Sequence, residues 1–382
     1  MAYIPPHKQQ SKDSERPSLM PTPTLASLSH RFNRNVRLGA SKSKADRAGR
    51  IVYSNYAISR WFAVGWNGHG DTSASHLRPV SVESFERTGQ KPLVLDKKTL
   101  DKNEAQGSPC SSILEKVMPH LLSCAEKLKA EIERGDLKDV KLTMAARFGT
   151  ILFQGSPSVN IDNVIRDCLG NLRRIFYTNL PAPYAANIIA EVASKIGVNF
   201  VDVKHSYQVK LSDRTQPDVS IFCKCRIELN PVRDMVIDIS CMNMDLDLRL
   251  ALSHKRVLTS LSEDEMQGIQ TLINSAVLDP EVKGGLRWPF GKASSGNRYN
   301  VIAVWHTNAT AYENGSIRLK VQQADRFDFR TTYGEVSNEV VLKLKGIASG
   351  LLEQDAETSS VMLQDSLTLI WRHFLQCEPF LT

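Results

Sequence analysis

The sequence predicts an α+β fold: a mainly antiparallel sheet with helices packed on one side, and a disordered basic tail at the N-terminus. Three observations predict it. Several long segments alternate apolar and polar residues with period two, the mark of half-buried strands. A smaller number carry apolar residues at the 3.6-residue spacing of an amphipathic helix. The net charge is confined to the first fifty residues. Residues 1–50 hold ten Lys and Arg against three Asp and Glu, a net +7. The 382-residue chain holds 48 against 41, also +7, so 51–382 are formally neutral.

The tail comes first. Pro5, Pro6, Pro17, Pro21 and Pro23 oppose helix, and few large apolar residues offset the entropy of ordering. Residues 1–50 are therefore assigned to a disordered, Pro-containing basic tail and 51–382 to a globular body. Within that body, a division into subdomains 51–260 and 261–382 is an alternative. Ile58–Trp66 reads as the first strand, and Gly65, Gly68 and Gly70 break it. Short strands follow at Val80–Phe85 and Pro92–Leu95. Ile113, Val117, Leu121, Leu128 and Ile132 mark a helix, with Pro119 either a kink or the first turn. Ile161, Val164, Cys168, Leu172 and Phe176 predict a second helix, and Tyr184, Ile188, Val192 and Ile196 a third, ending at Gly197.

Strands dominate the rest. Val201–Leu211 and Val219–Leu229 alternate strictly, and Asn230-Pro231 is expected to turn the second into a hairpin with Met235–Cys241. Leu246–Leu252 is another alternating set. Ser262-Glu263-Asp264-Glu265 opens a helix to Leu278, with acids at the positive end of its dipole. Val301–His306, Ile317–Gln323 and Val340–Leu344 are strands, and Ser360–Gln376 is the final helix.

The composition excludes some functions. No stretch has the ~18 uninterrupted apolar residues of a membrane helix. The N-terminus lacks the apolar core of a secretory signal, and the seven scattered cysteines read as reduced thiols. Cytoplasm or nucleus is the expected location. No catalytic fingerprint of fixed spacing is present. Gly65–Asp71, with His69 and His76, lacks both the phosphate-loop lysine and a nucleophile elbow, and reads as a surface loop. Cys223 and Cys225 have no second pair for zinc and read as core thiols. Asp238, Asp245 and Asp247 could hold a metal for phosphodiester cleavage, but such acids more often form the wet side of a strand with an Asp–Arg pair. No cofactor or metal is expected.

The strongest functional pattern is cationic. Lys141 and Arg147, Lys204 and Lys210, Lys224 and Arg226, Arg318 and Lys320, and Lys343 and Lys345 occupy polar strand positions. The acids in the same registers are Asp139, Asp202, Glu228 and Glu339. One reading is a basic sheet face that sits on phosphates; the other is ordinary solvation of exposed strands. Trp288-Pro289-Phe290, near Arg287 and Arg298, could stack on bases or plug a loop. The leading expectation is a non-enzymatic protein that binds RNA or another polyanion. Its tail would contribute Arg31, Arg34, Arg37, Lys42, Lys44, Arg47 and Arg50. Its sheet would contribute Lys204, Lys210, Lys224, Arg226, Arg318 and Lys320. The alternatives are a protein-interaction adaptor and a metal-dependent hydrolase or nuclease.

Two resemblances accompany these readings. Tyr3-Ile4-Pro5-Pro6-His7 resembles the Tyr-Ile-Pro-Pro-His-Leu-Arg element in the tails of Ded1-type DEAD-box RNA helicases, with Lys8 and Gln9 in place of Leu-Arg. It implies a linear motif that contacts a protein partner. Met1–Lys8, Ile51–Tyr53, Ala57–Val64 and Pro79–Glu83 are similar to a plant protein family of unknown function. That resemblance implies a plant origin and supplies no site.

Overall fold

A computed structural model describes residues 58–63, 76–80, 92–96, 109–134, 141–154, 172–215, 220–223, 227–229, 232–241, 244–255, 262–275, 296, 298–330, 333–353 and 355–380. The tail residues of 1–50, the Tyr3–His7 motif, the loop Gly65–Asp71, Lys224, Arg226 and the Trp288–Phe290 segment lie outside the described residues.

Among the described residues, thirteen strands make one sheet system. They are β1 (Ile58–Ala63), β2 (His76–Pro79), β3 (Leu93–Asp96), β4 (Lys141–Phe153), β5 (Arg174–Tyr177), β6 (Asn199–Asp213) and β7 (Ser220–Cys223), then β8 (Ile227–Leu229), β9 (Val232–Ser240), β10 (Asp247–Lys255), β11 (Tyr299–Glu313), β12 (Ile317–Asp328) and β13 (Tyr333–Leu344). The main path runs β1-β9-β10-β4-β13-β12-β11-β6-β7-β8, with β2, β3 and β5 attached near the end of β4. Every pairing except β1 with β9 is antiparallel. The helices are α1 (Pro109–Glu133), α2 (182–195, with a π-helical turn at Ile188–Val192), α3 (Glu263–Ser275), α4 (Ile347–Leu352) and α5 (Ala356–His373). The fold is the expected α+β sheet with helices on one side.

The alternation of sequence sets the two faces. Met144, Ala146 and Phe148 of β4, Ile237 and Ile239 of β9, Leu248, Leu250 and Leu252 of β10, and Leu342 of β13 join one apolar cluster with α1, α4 and α5. Phe148 stacks on Phe374 at the end of α5, ring centroids 4.9 Å apart. A second cluster packs Ile269 and Leu272 of α3 on Val209, Leu211, Val301, Val304 and Phe327. The registers put both clusters on the same face of the sheet. Helix starts follow their residues. Ser262 accepts the Glu265 N–H while Glu265 reaches back to the Ser262 N–H, a reciprocal cap. Asp355 caps α5 by accepting from the Thr358 N–H.

The connection from β8 to β9 dictates the sheet's shape. These strands are eight steps apart on the path, roughly 38 Å if the sheet were flat at about 4.8 Å per strand. Yet Leu229 and Val232 are three residues apart in sequence, a reach of at most about 11 Å. The sheet must therefore curl until its ends approach. Helices α1, α3, α4 and α5, each about 10 Å across, cannot fit inside a curl of this size, so their face is the outside. The opposite, polar face lines the inside.

Three sequence expectations fail. The hairpin between β8 and β9 does not form; β9 pairs with β1 and β10 instead. Asn230-Pro231 lies outside the described residues, and the partners of β9 are chosen by burial of Met235, Ile237 and Ile239 against the helices. Val219–Leu229 is not one strand: β7 and β8 pair with each other, Ile221 with Leu229. The second predicted helix cannot extend to Phe176, because Arg174–Tyr177 pairs with Thr150–Phe153 as β5. The apolar run Ile175-Phe176-Tyr177 suits a strand as well as a helix, and the open edge of β4 decides.

Candidate anion-binding site on the inner sheet face

The inner face is laid out by register. One row crosses seven strands: Asp238, Arg249, Arg147, Val341, Lys320, Ala311 and Asp202 are successive cross-strand neighbours. The next rows hold Glu339, Gln322, Ala309 and Lys204, and then Ala251, Ala145, Lys343, Arg318 and Glu313. Charged side chains thus share these rows with alanines. Ala303, Ala309, Ala311 and Ala324 are buried on this face, though none belongs to an apolar cluster. Small residues under long polar ones are what a narrow, enclosed lining requires.

Two carboxylates organise the guanidinium groups. Glu339, 1% exposed, accepts from Arg326, from Gln322 at 2.8 Å and from Thr178 at 3.2 Å, and lies 3.6 Å from Arg147. Burial alone would raise its carboxyl. The Arg326 and Arg147 charges and the two hydrogen bonds outweigh burial and hold it below the ordinary carboxylate value. Asp238, 2% exposed, takes a bidentate pair from Arg249, 2.6 Å to Nε and 2.8 Å to Nη2. Arg249 also stacks over Phe176, 4.6 Å from the ring centroid.

Arg147 sits between these two pairs. Its side chain is 35% exposed and yet so surrounded that burial drives its pKa down. Glu339 partly offsets that, while Arg326 and Arg249 push the same way as burial. Arg174 is likewise lowered by burial, with Asp238 opposing and Arg249 adding to the effect. Crowded but wet is the condition of a side chain in a recess. Four guanidinium groups (Arg147, Arg174, Arg249 and Arg326) therefore face three carboxylates (Asp238, Glu339 and Glu335, the last 3.9 Å from Arg326), leaving an excess of one positive charge. An anion entering the recess would relieve guanidinium repulsion and meet preorganised donors.

The expected sheet residues divide. Lys204, Lys210, Arg318 and Lys320 do share the inner face. Lys204 pairs with Asp202 at 2.6 Å, and Arg318 with Glu313 at 2.9 Å, so these two are largely neutralised in place. Lys345 is not on the ladder; it follows β13 and bonds Glu313 at 2.5 Å. The guanidinium cluster itself was hidden from sequence reasoning. Arg326 lies in a strand that continues past Gln323 to Asp328, and Arg174 fell in an expected helix. The alanines on polar strand positions were the available signal.

The acids Asp245 and Asp247 are structural. Asp247 accepts the Ile151 N–H at 2.7 Å and the Cys241 N–H at 3.2 Å, and Asp245 accepts the Cys377 N–H at 2.6 Å. With Asp238 committed to Arg249, the three do not converge. No group of three or more metal-ligating side chains occurs among the described residues. Phe148 and Phe153 are fully buried, so β4 presents no stacking platform. Cys110, Cys124, Cys241 and Cys377 are buried thiols outside any disulfide, and burial followed by Asp245 pushes Cys377 up to about 12. No described helix is long and apolar enough to cross a membrane.

Comparisons with known proteins add the following. A family model described as a domain of unknown function, DUF7903, matches residues 45–374. No curated protein matches the sequence significantly. Among solved structures, the Pct1 RNA triphosphatase of S. pombe is similar over 72% of this chain and 96% of that one, at 11% identity and a TM-score of 0.40. The same enzyme in complex with the Spt5 CTD gives 70% and 92%, 11% and 0.39. A putative adenylate cyclase from Bacillus halodurans gives 52% and 94%, 12% and 0.24. Likeness at this level fixes neither fold nor function.

Proposed function

The chain belongs to the DUF7903 family, and we propose that it binds a phosphate-rich polyanion, RNA above all, on the inner face of its curled sheet. One observation carries the reading: four guanidinium groups share a recess with three carboxylates, and Arg147 is both crowded and solvent-accessible. Arginine matches phosphate oxygens in pairs, and a low-dielectric recess strengthens each contact. The ten bases within residues 1–50 would add long-range, sequence-independent attraction. Binding of this kind suits either cytoplasm or nucleus.

Filter binding of the full chain to single-stranded RNA across a salt series tests this. The expected result is a logarithmic affinity that falls linearly with log salt, with a slope of about −0.7 per phosphate contacted. Replacing the ten tail Lys and Arg by Gln should flatten the slope without abolishing binding. Salt-independent affinity, or none, would overturn the reading.

A further inference from the structure

The free half of β6 carries a second inference, about a partner rather than a ligand. β6 pairs with β11 along its whole length, but β7 covers only Val209–Ser212 of its other edge. Residues 199–208 thus have no strand beside them on that edge among the described residues. This segment is exposed on both faces: Phe200 is 60%, Val203 52% and Val201 45% exposed, and the Lys204 side chain 59%. An exposed edge with bare apolar side chains is a template for strand addition.

The sequence of that edge is complementary to itself. Centred on Val203, it reads Asp202-Val203-Lys204. Two copies placed antiparallel about a two-fold axis through Val203 would set Val203 against Val203. Asp202 of each would then face Lys204 of the other, and Val201 would face His205. Both ionic contacts fall on the inner face, because Asp202 and Lys204 oppose Ala311 and Ala309 there. The valine contact falls on the outer face. The Asp202–Lys204 pair now made within one strand, at 2.6 Å, would be exchanged for two pairs between copies. An isologous interface needs a patch that matches itself. We propose that two copies of this chain join through β6 in this register, extending both sheets into one.

Sedimentation equilibrium on the full chain tests it by charge exchange. Wild type should associate to a dimer. Lys204→Asp places two acids opposite two acids, and Asp202→Lys places bases opposite bases. Each variant alone should dimerise at least tenfold more weakly, and an equimolar mixture of the two should recover the dimer. The double variant carrying both changes restores complementarity and should dimerise like wild type. Hydrogen exchange at 199–208 should slow as concentration rises. A monomer at all concentrations would overturn the proposal, including one whose β6 edge is already protected by another part of its own chain. So would a dimer indifferent to the charge changes. These readouts measure mass and protection, so they stand or fall separately from RNA binding.

Discussion

Replacing Glu339 by Gln is the most informative single perturbation of the sheet interior. The change removes one charge and keeps the shape. In the native chain this carboxylate is 1% exposed and serves Arg326, Arg147, Gln322 and Thr178. Breaking a buried ion pair from one side costs about 3–5 kcal/mol, because the remaining charge is stranded. Here the stranded charges are Arg147 and Arg326, 35% and 30% exposed, so water screens part of the loss. A destabilisation of about 2–3 kcal/mol is expected. Urea unfolding measures it, with an unchanged m-value showing that the folded state is otherwise intact. The pH dependence supplies an independent check. The folded pKa of Glu339 is depressed, so its contribution is complete above its unfolded value of about 4.3 and is lost as pH falls through the folded value. Wild type and Glu339→Gln should therefore differ most near neutrality and converge in acid. A loss under about 0.5 kcal/mol at neutral pH, or a gap that widens in acid, would refute the assignment of Glu339 as the organising carboxylate. The surviving folded protein should bind anions more tightly, since the recess gains one net positive charge.

Two further predictions concern the support beneath the site. A Cβ at Gly149 would stand 2.1 Å from the Tyr177 carbonyl oxygen, where β5 closes onto β4, so Gly149→Ala should cost about 2–3 kcal/mol in urea unfolding. Asp247→Asn keeps one acceptor but turns an amide against a backbone N–H of Ile151 or Cys241, and thermal unfolding should report a loss of about 2 kcal/mol.

Much of the fold was legible because burial here follows simple periodicities. Val201–Leu211, Leu246–Leu252 and Ile317–Gln323 alternate, and each became a strand; the stripes at 113–132 and 184–196 became α1 and α2. What local pattern could not show was partnership. Asn230-Pro231 reads as a turn in the sequence, but whether Met235–Ser240 pairs with β8 or β10 depends on which neighbour lets Ile237 and Ile239 reach the helices. Arg174–Tyr177 was ambiguous for a related reason: its period fits helix or strand, and only the unfilled edge of Thr150–Phe153 selects strand. The site was half legible. The bases at Arg147, Lys204, Lys210, Arg318 and Lys320 do share a face, but that face is the inside of a curl, a property fixed by the three-residue step from Leu229 to Val232. Ion pairing then separates Lys204 and Arg318, matched by acids, from Arg147, which is not fully matched.

The central claim is that the guanidinium recess, rather than basic surface in general, holds the polyanion. The most direct measurement compares Arg147→Met with Lys195→Met in filter binding to single-stranded RNA at about 0.1 M salt, a Debye length of roughly 10 Å. Lys195 lies on α2 and is paired with Glu191 at 2.8 Å on an exposed helix surface. A charge-assisted contact is worth about 1.5–3 kcal/mol, so Arg147→Met should weaken binding about tenfold or more, while Lys195→Met leaves it unchanged. Equal affinity of both variants with wild type would contradict the account.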